Sequence, residues 1–73
     1  MKQRRKLDTV KLREARVAWG ESQERLAGVL GVTRITVASW ESGRHQPHPW
    51  HIARIARHYK IRARQLQLAG EDA

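Results

Sequence analysis

The stretch Gln23–Ser42, QERLAGVLGVTRITVASWES, decides how this chain folds. Leu26, Ala27 and Leu30 share one face of a short helix, with Ser22 as its N-cap, Glu24 in its first turn and Gly31 at its end. Three residues on, a second helix is expected over Arg34–Glu41. Thr33 caps it, Val37 and Trp40 mark its inner face, and Gly43 can take the left-handed turn that closes it. The corner Gly31-Val32-Thr33 has the residues such a junction requires. Ala27 is small where two helices approach closely, Gly31 tolerates a positive φ, and Leu26, Leu30, Val32, Val37 and Trp40 seal the inside. Two helices joined this way form a helix-turn-helix.

Working outward, Leu12, Ala15 and Trp19 recur at i, i+3 and i+7 behind a cap at Asp8 or Thr9. They predict a first helix from about Val10 to Trp19, stopped by Gly20. Residues 1–7 show no apolar periodicity and hold Lys2, Arg4, Arg5 and Lys6, so they read as a disordered basic arm. On the other side, Arg44-His45-Gln46-Pro47-His48-Pro49 is a polar, proline-broken loop whose second proline suits the first position of a helix. Ile52, Ile55, Ala56 and Tyr59 define that fourth helix, and Lys60-Ile61-Arg62 leads into a fifth carrying Leu66. Residues 71–73 read as a frayed tail. The expected architecture is one domain over residues 8–70, an all-α, compact bundle of five helices.

Composition narrows the function. A chain of 73 residues buries too small a core for a deep enzyme pocket. Fifteen Lys and Arg against seven Asp and Glu give a formal charge of +8, the footprint of a molecule that meets phosphates. With no cysteine, disulfides and thiolate zinc sites are excluded. The basic start is not followed by the apolar run of a signal peptide, and no membrane span is present, so a cytoplasmic, nucleoid-associated protein is expected. Ser22, Ser39 and Ser42 lack a His and carboxylate arrangement, and no P-loop occurs, so no catalytic reading survives. His45, His48, His51 and His58 include an i, i+3 pair. Without cysteines or neighbouring carboxylates they point to no metal, and no cofactor is expected; His48 reads as the cap before Pro49.

The motifs Ser22-Gln23-Glu24-Arg25-Leu26-Ala27, Gly31-Val32-Thr33-Arg34 and Trp40-Glu41-Ser42-Gly43-Arg44, with Pro47 ahead of the Ile52-Ile55-Ala56 stripe, resemble the phage Cro and C1 repressor family, the Xre type. The resemblance covers about Leu12 to Leu66. It implies a lambda-repressor-like bundle that binds operator DNA as a symmetric dimer with its third helix in the groove. It also implies that Gln23 bonds a backbone phosphate and that Arg16 and Glu41 form an ion pair between helices 1 and 3. The residues themselves agree on the pair, because an Arg on a helix otherwise facing the core needs a carboxylate partner. Glu21 departs from the family, which usually has Leu there, and Trp19 is a candidate to pack in its place.

With Val37 and Trp40 inward, the helical wheel turns Ile35, Ser39 and Ser42 outward, with Arg34 and Ala38 at the flank. Arg34 can fork onto guanine O6 and N7, Ile35 and Ala38 can touch thymine methyls, and Ser39 can donate or accept at base edges. Phosphate contacts are expected from Ser22, Gln23, Thr33, Ser42 and Arg44, and from the arm's Lys2, Arg4, Arg5 and Lys6. Leu66 and Leu68 with Ala69 are the available seam for a homodimer. Arg54, Arg57, Lys60, Arg62 and Arg64, with Trp50, form a basic surface outside the reading segment: a solvated face, an extra phosphate contact, or a surface for an acidic partner. Three functions are compatible with these features: a stand-alone sequence-specific regulator of transcription, repressor or controller; the DNA-binding module of a longer regulator or antitoxin; and an adaptor that reuses the fold to bind protein. Arg34 on the outer face argues against the last.

Overall fold

Asp8 starts the first helix. Its carboxylate accepts from the N–H groups of Val10 at 3.1 Å and Lys11 at 3.2 Å, satisfying two first-turn donors of α1, Thr9–Ala18. In the computed structural model, which describes residues 6–68, three more α-helices follow: α2 Gln23–Leu30, α3 Arg34–Glu41 and α4 Pro49–His58. Each begins at the expected cap. Ser22 Oγ accepts from Arg25 N at 3.0 Å, Thr33 Oγ1 from Thr36 N at 3.2 Å, and His48 Nδ1 from Trp50 N at 3.1 Å. The turn between α2 and α3 rests on Gly31, at φ +74°, where a side chain would be strained.

Among the described residues the expected fifth helix is absent. Its segment makes one 3-10 turn, Ala63–Leu66, and then extends, so that Gln67 pairs with Leu7 in an isolated antiparallel bridge. Two backbone bonds of 2.8 Å, from Asp8 N to Leu66 O and from Leu68 N to Lys6 O, engage the backbone that further helical turns would have used. Leu66 is the only buried residue of that turn, too little apolar surface to hold a longer helix on the bundle. The described residues therefore form four α-helices and no strand.

Leu7 was expected in the arm, yet it is 2% exposed and part of the core, and its N–H donates to Gln46 Oε1 at 2.8 Å. It joins Leu12, Leu26, Leu30, Val37, Trp40, Ile52, Ile55, Tyr59 and Leu66. Full burial of Leu66 also removes it from the expected dimer seam, leaving Leu68 exposed beside it. Lys2, Arg4, Arg5 and Ala69 lie outside the described residues. Among the described residues no helix is long and apolar enough to cross a membrane.

Candidate nucleic-acid interface

Helix α3 is held from behind by Val37 and Trp40, which are 0% and 3% exposed, and it turns Ile35 outward at 70% exposure with Arg34 beside it. Ala38 and Ser39, the other two residues assigned to base reading, are half-buried on its flank. Ser39 Oγ donates to Thr36 O at 2.8 Å within the helix. Its hydrogen is thus occupied and its lone pairs remain to accept. Ser22, Thr33 and Ser42 are likewise engaged locally, Ser42 through Ser39 O at 3.1 Å. Arg44 is exposed just past the end of α3.

The expected ion pair is present, and it extends further than the sequence indicated. Arg16 Nε donates to Glu41 Oε2 at 2.7 Å and Arg16 Nη2 to Glu41 Oε1 at 3.1 Å, while Nη1 donates to the Glu21 carbonyl at 2.7 Å. Side-chain exposures of 12% and 7% make this a largely buried fork. The Glu41 hydrogen bond holds the Arg16 guanidinium above its ordinary pKa against the cost of burial. Gln23 Nε2 also donates to Glu41 Oε1, at 3.0 Å, and Gln23 Oε1 accepts from Arg34 Nη1 at 3.4 Å. A carboxylate only accepts and a guanidinium only donates, so these two neighbours set which way the Gln23 amide points. A chain of polar contacts therefore runs from Arg16 through Glu41 and Gln23 to Arg34.

A second cluster escaped the sequence reading. The Glu21 carboxylate accepts from Tyr59 Oη at 2.9 Å and pairs with His58 Nε2 at 2.9 Å. Burial alone would raise the Glu21 pKa, but the hydrogen bonds from His58 and Tyr59 hold it below the usual carboxylate value. This polar cluster closes the α1–α2 corner where Trp19 was expected to pack. Trp19 itself is 47% exposed, its ring 5.7 Å from those of His58 and Tyr59. Only the thirty-seven-residue separation of Glu21 and His58 hid the cluster, since nothing local links them. Among the described residues no group of three metal-binding side chains comes together.

The family model for a helix-turn-helix domain matches residues 10–68. The chain belongs to the helix-turn-helix domain family. Two solved structures are similar over most of its length. One is the restriction-modification controller protein C.AhdI from Aeromonas hydrophila, with 36% identity and a TM-score of 0.72, covering 80% of this chain and 84% of that one. The other is a hypothetical transcription factor, NHTF, from Neisseria, with 31% identity and a TM-score of 0.76, covering 88% of this chain and 74% of that one. Among curated protein sequences none matches the chain. The resemblance to Cro and C1 repressors is borne out by this helix-turn-helix match and by both structural neighbours.

Proposed function

We propose that this protein is a regulator of transcription that binds duplex DNA and reads sequence with α3 in the major groove. The observation that carries the reading is the outward pair Arg34 and Ile35 on a helix whose back is locked by Val37, Trp40 and the Arg16–Glu41 fork. Ile35, 70% exposed, presents an apolar surface that fits a thymine methyl. In this reading Arg34 forks onto guanine, Ala38 adds an apolar contact, and Ser39 accepts from a base edge. Phosphates are held by the first-turn amides of α2 and α3 around Ser22, Gln23 and Thr33, by Ser42 and Arg44, and by the arm with Lys2, Arg4, Arg5 and Lys6. Gln23 would exchange part of its bonding to Glu41 and Arg34 for a phosphate as the complex forms.

Similarity to a controller protein supports a regulator of the repressor or controller type, and in this reading it acts inside the cell as a homodimer. Two reading helices related by a twofold axis would meet half-sites about 34 Å apart. Selection on randomised duplex DNA tests the reading directly. The wild type should enrich a two-part site, and Arg34→Ala should relax the preference at one base pair per half-site, worth about 1–3 kcal/mol. Failure of the wild type to enrich any site would overturn sequence-specific binding, and an unchanged preference in the variant would reduce Arg34 to a phosphate contact.

A further inference from the structure

Helix α4 exposes a face that DNA reading leaves unused. Its inner side is Ile52, Ile55 and Ala56. One flank turns to the helix-turn-helix: the His51 ring lies 5.2 Å from that of Trp40 in α3, and His58 reaches Glu21 at the α1–α2 corner. At about 100° per residue, Trp50, Arg54 and Arg57 fall together on the side opposite the core. All three are exposed, Trp50 at 53%, and the Arg54 guanidinium sits 5.1 Å from the centre of its ring. Exposed Lys60, Arg62 and Arg64 continue the run past the helix, and no Asp or Glu occurs between Glu41 and Glu71. Among the described residues none of these five cations joins a salt bridge.

We propose that the Trp50–Arg54–Arg57 stripe of α4 is a docking surface for an acidic segment of another protein, with Trp50 as its apolar anchor. Charge complementarity selects the occupant. A second copy laid on the same face would set cation against cation, and a neutral partner would desolvate arginines without pairing them. A phosphate contact would use only the N–H of the indole and leave the ring in water, whereas exposed Trp and Arg side by side are the residues that dominate protein interfaces. The stripe lies about a quarter turn round α4 from the flank that meets α3, with the Trp50 ring 4.9 Å from that of His51 on that flank, and the proposed partner sits on its outer side, leaving Arg34 and Ile35 to DNA.

The test uses a fluorescein-labelled amphipathic peptide with glutamates along one helical face and a leucine beside them. Its binding is read by anisotropy alongside binding of a duplex. Arg54→Glu/Arg57→Glu is compared with Lys11→Glu/Arg13→Glu, an equal charge reversal at exposed positions of α1. Peptide affinity should fall at least about tenfold in the α4 variant and less than about threefold in the α1 variant. Trp50→Ala, which leaves the charge unchanged, should lose about tenfold. Duplex affinity should drop equally in the two charge-reversed variants, and wild type should hold peptide and duplex together. Equal peptide losses in both charge-reversed variants, or full peptide affinity in Trp50→Ala, would overturn the proposal. So would a larger duplex loss in the α4 variant, which marks a phosphate surface, or mutual exclusion of peptide and duplex.

Discussion

The Glu41 carboxylate takes three hydrogen bonds, two from Arg16 and one from Gln23, and is almost closed off from water. Its stability value lies less in the attraction than in what removing one partner leaves behind, an abandoned charge in a poorly solvated place. Arg16→Met should therefore lower the unfolding free energy by about 3 kcal/mol, the low end for buried pairs because Gln23 still donates to the carboxylate. Arg16→Met/Glu41→Leu should recover most of the loss, and denaturant titration of both variants measures it. His51 is a second half-buried polar residue with a consequence. Burial first, then neighbouring His48 and Arg54, hold its pKa below the ordinary histidine value, and its Nδ1 finds no partner among the described residues. As pH falls below about 6.5 the unfolded chain takes up a proton at this position before the folded one does, so stability declines. Between about pH 7.5 and 5.5 the wild type should lose more unfolding free energy than His51→Gln, as followed by thermal melts; parallel curves would show that His51 titrates as freely in the fold as out of it.

At the scale of elements, legibility followed how local the signal was. The bounds of α3 coincide with the expected Arg34–Glu41 because its cap, inner face and closing glycine all lie within eleven residues of one another. The fifth helix was misread because Leu66 alone carried it; its fate depends on Leu7, which is sixty residues away and pairs with Gln67 instead of joining the arm. Glu21, an apparent defect at the α1–α2 corner, is completed by His58 and Tyr59 from the far end of α4. The outward turn of Arg34 and Ile35 was legible from the same wheel that placed Val37 and Trp40, whereas the half-burial of Ala38 and Ser39 and the link from Gln23 to Arg34 needed coordinates. The end of α4 holds a local strain of its own. Lys60 has φ 58°, the left-handed conformation that glycine provides after α1, α2 and α3, while Ile61 N bonds Ala56 O at 2.9 Å across it. Lys60→Gly should raise the unfolding free energy by about 0.5–1 kcal/mol. A melting temperature that does not rise would show that the lysine stem recovers the cost through packing.

For the whole molecule, the bridge between Leu7 and Gln67 ties the start of the described residues to their end. Leu7 fills the core, so Leu7→Ala should cost about 2–5 kcal/mol and weaken DNA binding only through loss of fold. Removal of residues 2–5 ahead of it separates stability from affinity. Those residues hold three of the fifteen cations and no position of the described core, so the unfolding free energy of the shortened chain should match that of the full one. Its DNA affinity, measured across a salt series, should fall most at low ionic strength. The slope of log affinity against log salt should flatten by about 0.9 for each phosphate contact removed. If stability holds and the slope is unchanged, the arm does not touch the backbone and phosphate binding rests on Gln23, Ser22, Thr33, Ser42 and Arg44. If stability falls with the arm, the domain begins before Lys6, and the affinity loss reports a weakened bridge.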